Sequence, residues 1–251
     1  MIYYSSLVEL LPKDLECHFF DSIESTNNFF TNKPFTNKVQ LCVTREQTQG
    51  KGQHGRHWES QKDNSIIFSI KRNFPQECNL NGLSLIVGLA IVKVLEKECL
   101  VEGFKIKWPN DIYFESKKLA GVLLENQIQT KNQSVVIGVG INYALDQSMT
   151  FEIPWTDLAK TTKILPNINL LTAEIINNIL VMSEHYSAFG FNDFQLDWKR
   201  YDMLQGKKVK CTDLKNSFEG EVVGVSPQGA LKIFTKNGVK ELYSSRHIEY
   251  I

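Results

Sequence analysis

The chain has 251 residues, 42% of them hydrophobic and 22% charged, with 28 basic and 28 acidic side chains that cancel to a formal net charge of zero. That length accommodates one large domain, or a medium domain with a small appendage, and a full core. Zero net charge argues against bulk attraction to DNA or to an anionic membrane, and no window approaches the ~18 apolar residues of a membrane span.

The N-terminal run "MIYYSSLVELLPKDLE" lacks a basic segment followed by a long apolar stretch, so no secretory signal is expected. Five scattered cysteines without a C-x-x-C fit a reducing compartment, and the expected location is cytoplasmic. Cys17 and His18 are adjacent, but no second pair stands at zinc spacing, which makes a structural role the expectation. "DSIESTNNFF" sets Ser25 or Thr26 as the cap of a short helix. The β-branched "VQLCVT" (39–44) predicts a buried strand, "SIIFSI" (65–70) the next, and a glycine-rich basic segment joins them. Residues 80–100 carry Leu83, Val87, Ala90, Ile91 and Val94 at helical spacing, a core helix lying on a sheet. Strands follow at 104–108, 111–114, 118–126 and 134–142, with Glu115, Ser116 and Lys117 at a hairpin tip. Helical patterns resume at 169–189 and 191–204. After Gly206 the texture turns to short strands split by Asn-, Pro- and Gly-bearing turns, "GKKVKCTD", "FEGEVVGVS", "GALKIFT", "KELYSS" and "HIEYI", about the size of a small SH3-like barrel. The predicted fold class is α+β: a mixed sheet flanked by helices over residues 1–204, then a small C-terminal SH3-like β-barrel over 205–251.

Five short motifs carry chemistry. "TREQTQGKGQHGRHWES" (44–60) places Gly50, Gly52 and Gly55 among Arg45, Lys51 and Arg56. Glycines let backbone N–H groups converge on an anion, and Lys51 and Arg56 can neutralise it. The run matches neither a P-loop nor a dinucleotide fingerprint, so by itself it is a phosphate cradle or a solvated hairpin. "KWPND" (107–111) offers Asn110 and Asp111 to a ligand or to Mg²⁺, or is a plain turn behind a core tryptophan. Lys118 in "KKLAGVLLE" (117–125) is a site residue or a charged guard on a sheet edge. Asn142 in "GVGIN" and Ser25, Thr26 and Asn27 in "ESTN" are ligand contacts or ordinary turn and cap residues.

Taken in order, S-T-N, G-K-G-x-x-G-R-x-W, K-W-P-N-D, K-L-A-G-V-L-x-E and G-x-G-I-N resemble the biotin protein ligase family (biotin–acetyl-CoA-carboxylase ligase), whose catalytic domain has a class II synthetase-like fold. The resemblance runs through about residues 20–145, and the C-terminal β appendage is similar to that family's SH3-like domain. It implies an ATP-dependent enzyme that makes biotinyl-5′-AMP and then biotinylates one lysine of a biotin carboxyl carrier domain, with ATP and Mg²⁺. It implies catalytic roles for Lys118, Lys51 and Arg56. The biotin pocket would hold Ser25, Thr26, Asn27, Gln47, Gly50, Lys118, Gly121 and Leu123. The adenylate would meet Lys51, Gly52, Gln53, Gly55, Arg56, Trp58, Asn110 and Asn142, with Asp111 on the metal and Trp108 offering a second flat surface. Many family members read G-R-G-R-x-G-R in the loop; here Lys51 and Gln53 stand in place of two arginines, which weakens the expected grip on the adenylate. His54 and His57 have no recognisable carboxylate partner and are expected to be solvated. Some members carry an N-terminal helix-turn-helix; about 24 residues precede "STN", too few for one, so no DNA and no membrane partner is expected, and the protein is a monomer or homodimer. The competing readings are a lipoate or octanoate ligase of the same fold class, whose arginine-and-triple-glycine signature is missing, and a non-catalytic nucleotide-binding or interaction module.

Overall fold

The computed structural model describes residues 1–31, 33–34, 36–128, 132–212, 217–244 and 247–251. Seven strands form the main sheet: β1 (Glu16–Phe20), β2 (Gln40–Thr44), β3 (Ser65–Pro75), β4 (Phe104–Lys107), β5 (Asp111–Phe114), β6 (Lys117–Ile128) and β7 (Asn132–Asn142). Their order is β1-β2-β3-β7-β6-β5-β4, with β1 parallel to β2 and every other pair antiparallel. The hairpin between β5 and β6 turns on Glu115 and Ser116, both at positive φ, the geometry of a tight two-residue connection. Short helix α1 (Tyr4–Leu10) and strand β1 carried no clear period in the sequence and emerge only here.

The strands alternate, and the alternation assigns two faces. Leu41 and Val43, Ile66, Phe68 and Ile70, and Val135, Ile137, Val139 and Ile141 all enter one core. Two helices cover that face: α3 (Leu83–Cys99) and α5 (Ile168–Phe189). α3 is buried nearly all round, since the sheet lies on one side and α5 on the other. The opposite face holds the small cluster of Phe30, Cys42 and Val136, where α2 (Thr26–Thr31) packs. The predicted helix over 191–204 is shorter: a 3₁₀ turn at Asn192–Phe194, then α6 (Gln195–Tyr201). A one-turn helix, α4 (Leu158–Thr161), is capped by Asp157 and was not foreseen.

Beyond it, β8 (Lys208–Thr212), β9 (Ser217–Val225), β10 (Leu231–Thr235), β11 (Gly238–Leu242) and β12 (His247–Tyr250) make a second, antiparallel sheet in the order β11-β10-β9-β8-β12. Asp213 and Ser245, included in the sequence runs above, lie outside the described residues. Val209, Cys211, Val222, Leu231, Ile233 and Ile248 from this sheet join the same hydrophobic cluster as the main core. The five cysteines are free. Burial pushes the Cys42 thiol up to about 12, and those of Cys99 and Cys211 up to about 11. No described helix is long and apolar enough to cross a membrane.

Candidate active site

A cavity of about 380 Å³ opens on the sheet face opposite the main core. Strand register builds its floor. Asp111, Gly121, Gly140 and Ile67 are successive partners across β5, β6, β7 and β3; Leu123, Gly138 and Ser69 form the next row. The glycines in "GVGIN" therefore fall at alternate positions, on the cavity side, while the valines and isoleucines between them face the core. They are small because other side chains lie on them. A Cβ on Gly140 would come within 2.4 Å of the Trp58 ring, and one on Gly138 within 2.2 Å of Asn27 Oδ1. The Trp58 Nε1 donor is buried without a partner at this floor.

One end of the cavity is a hydrogen-bonded wall. The start of α2 brings Ser25, Thr26 and Asn27 inward, all 4% exposed or less. Gln47, from the loop after β2, accepts at Oε1 from Thr26 N (2.7 Å) and lies 3.0 Å from Thr26 Oγ1. Ser69 Oγ stands 2.6 Å from Asn27 Oδ1 and 2.7 Å from Thr26 Oγ1. Asn27 Nδ2 donates to Glu125 Oε2 at 2.8 Å. The Ser25 hydroxyl accepts from Asn28 N at 3.4 Å, the cap foreseen in the sequence.

The other end is cationic. Lys118 Nζ is 2.7 Å from Asp111 Oδ1 and 5.5 Å from the centroid of the Trp58 ring. Lys51 Nζ donates to Asn28 Oδ1 at 2.6 Å, and Arg56 also lines the cavity. Beside them, burial lowers the Lys107 ammonium; the Asp111 carboxylate opposes that, while Lys118 and Arg56 add to it. The glycine loop is shaped by its own backbone: Trp58 N donates to Gly50 O, and Gly52 N to Arg56 O. At its base Arg45 Nε and Nη2 bind Asp63 Oδ1 and Oδ2 at 2.5 and 2.7 Å. That clamp holds the Asp63 carboxyl below the ordinary carboxylate range.

Most residues singled out in the sequence converge here: Ser25, Thr26, Asn27, Gln47, Lys51, Gly52, Gln53, Arg56, Trp58, Asn110, Asp111, Lys118, Gly121, Leu123 and Asn142 all line the cavity. Gly50 and Gly55 do not. Gly50 is buried against the Trp58 carbonyl, where a Cβ would stand 2.2 Å from the oxygen, and Gly55 is an exposed turn at φ +77°. Trp108 is a correction: it is 3% exposed and sends Nε1 to Gly229 O in the second sheet, so it fills core and meets no ligand. Asn110 and Asn142 use their Nδ2 groups on the backbone, at Val122 O (2.6 Å) and Thr156 O (3.0 Å). His54 and His57 are exposed. Two parts of the site escaped the sequence reading. The segment Thr150–Trp155 forms one rim, docked where Lys118 N donates to Pro154 O and Thr156 N to Lys118 O. Ser69 and Glu125 brace the polar wall from behind.

Residues 19–142 match the model of the biotin/lipoate A/B protein ligase family. Over 212 residues the chain is 32% identical to the bifunctional ligase/repressor BirA of Bacillus spizizenii, an alignment covering 82% of this chain and 64% of that protein. The chain thus spans under two thirds of the length of that curated relative. Over 107 residues it is 34% identical to a biotin–[acetyl-CoA-carboxylase] ligase of Mycobacterium tuberculosis, covering 41% of this chain and 38% of the other. The fold is similar to that of a biotin protein ligase from Aquifex aeolicus solved in complex with biotin and ATP, with a TM-score of 0.79, 26% identity, and coverage of 94% and 99% of the two chains.

Proposed function

We propose that the chain is a member of the biotin/lipoate A/B protein ligase family, whose model its residues 19–142 match, and that it is an ATP-dependent ligase that joins biotin to a specific lysine of a biotin carboxyl carrier domain. The observation that carries this reading is one cavity with a neutral hydrogen-bonding wall at Ser25, Thr26, Asn27 and Gln47, an apolar middle at Ile67 and Leu123, and Lys118 at the far end. Biotin has the same sequence of chemistry: a ureido ring, an apolar body and chain, and a carboxylate.

In the first step the carboxylate attacks the α-phosphorus of ATP; the bond to the β-phosphate breaks and pyrophosphate leaves. Lys118 serves as an electrostatic clamp on the reacting oxygens, with Asp111 orienting its ammonium in the ground state. Lys51 and Arg56 cover the phosphate from the glycine loop, and Trp58 supplies the flat wall of the pocket. In the second step the carrier lysine's amine attacks the acyl carbon, an amide forms, and AMP leaves. Closing the loop keeps water from the anhydride.

Among the described residues no three metal-ligating side chains cluster. Asp111 would be the one carboxylate to hold a Mg²⁺ brought in with ATP, and such an ion would supply charge neutralisation there. The same reading divides the chain into a catalytic domain, 1–204, and a C-terminal domain, 205–251, acting in the cytoplasm as a monomer or homodimer without DNA. Incubation with ATP, a carrier domain, and labelled biotin or labelled lipoate tests it. Biotin on the carrier is the expected result; label from lipoate alone would point to a lipoate ligase, and no adenylate with either acid to a binding module.

A further inference from the structure

We infer that Glu125 is a positioning residue that fixes the donor and acceptor sense of the wall that receives the biotin ring; the inference rests on the biotin-ligase reading above. Glu125 does not line the cavity, and it acts through Asn27.

An ionised carboxylate can only accept. Glu125 Oε2 therefore pins the Asn27 amide with its nitrogen toward β6 and its oxygen toward Ser69. Asn27 Oδ1 has no proton, so the single Ser69 proton lies on that 2.6 Å bond. The 2.7 Å contact between Ser69 and Thr26 must then be made by the Thr26 proton, which turns to buried Ser69 and not to Gln47 Oε1 at 3.0 Å, an oxygen that Thr26 N already holds. Thr26 Oγ1 keeps a lone pair for a ligand N–H. At the far end Thr26 N holds Gln47 Oε1, which leaves Gln47 Nε2 as the unspent group. Ser69 is completely buried, so no solvent resets the chain, and Gly138 leaves the room in which the Asn27 amide sits. Between Ser69 and the cavity the wall then offers an acceptor at Thr26 Oγ1 beside a donor at Gln47 Nε2. That pair complements one N–H and the adjoining carbonyl of a ureido ring.

Glu125→Gln keeps the shape but can present either amide end, so Asn27 is released to take both senses. The test is biotin-dependent exchange of labelled pyrophosphate into ATP. No biotin-dependent exchange by the unmutated protein would mean that the ligase reading itself has failed. Given exchange, Glu125→Gln is expected to raise KM for biotin roughly tenfold and leave KM for ATP within about twofold. Ser69→Ala should move the same quantities the same way by less, and it decides the matter if Glu125→Gln does not fold. An unchanged KM for biotin in the folded variants, or a rise that is equal for biotin and ATP, would overturn the assignment.

Discussion

At the scale of single residues the proposed chemistry turns on Lys118. Its ammonium has a fixed position, held by Asp111 at 2.7 Å on a side chain one-fifth exposed, so it needs no reorganisation when charge develops beside it. Lys118→Gln should lower the rate of adenylate formation by about 10²–10³, the usual cost of a lost preorganised donor. Stopped-flow detection of biotinyl-5′-AMP measures that loss, and a drop below about threefold would remove Lys118 from the reacting centre. Gln53 is the converse case: a neutral side chain on the cavity wall within a loop that otherwise offers Lys51 and Arg56. Gln53→Arg adds a forked cation there and should slow release of the adenylate, read as its off-rate from a filter assay. The sequence made such residues legible because ligand-facing chemistry sits in short local motifs. It could not show Ser69 and Glu125 bracing Asn27, since those contacts join β3, β6 and α2 across 42 and 98 residues of chain. Trp108 misled for a related reason: a large aromatic beside "PND" looks the same whether it faces a ligand or, as here, Gly229.

Elements position these residues through register. β7 was readable as a strand, yet its role as a floor follows only from pairing, which sets Gly121 beside Gly140 and leaves a flat bed for the Trp58 ring. Gly140→Ala places a methyl 2.4 Å from a ring atom, so the indole must move. Adenylation should fall while the far-ultraviolet circular dichroism stays that of a folded chain. The loop above this bed is closed at its base by Arg45 and Asp63 and open at its tip, where residues 54–57 are exposed. Biotin plus ATP should therefore slow amide hydrogen exchange at 52–57 more than at 44–47, and equal protection of both would contradict a tip that closes. The clamp also carries a pH sign. Arg45 holds the folded-state Asp63 carboxyl below the ordinary carboxylate range, so its contribution is present above that range and lost as pH falls through the lower, folded value. The difference in thermal midpoint between the unmutated protein and Arg45→Gln should shrink between pH 5 and pH 2, because the unpaired variant has no such contribution to lose.

At the scale of the whole molecule the second sheet is part of the site's support, although none of its strands lines the cavity. It holds the end of β4 from two directions: Trp108 Nε1 donates to Gly229 O at 3.1 Å, and the Tyr250 ring lies 5.6 Å from Lys107 Nζ; Met203 N, ahead of β8, adds a bond to Ile106 O at 3.0 Å. Asn110 and Asp111 follow directly, so any displacement of this junction moves the cationic end of the cavity. Gly229 is the tightest point: its φ is +83°, and a Cβ there would stand 2.5 Å from the Gly82 Cα at the start of α3. Gly229→Ala adds both a left-handed backbone penalty and overpacking, about 2–4 kcal/mol together. For a chain of this size that corresponds to a fall in Tm of about 5–12 °C. Because one hydrophobic cluster runs through both sheets, the loss should appear as a single shifted transition, with tryptophan fluorescence and circular dichroism moving together. The same variant, assayed well below its melting point, should show a raised KM for ATP with KM for biotin nearly unchanged, since the junction touches the Asp111 end and leaves the Thr26 wall alone. Two separate melting transitions, or a change confined to biotin, would show that the second sheet folds and acts apart from the site.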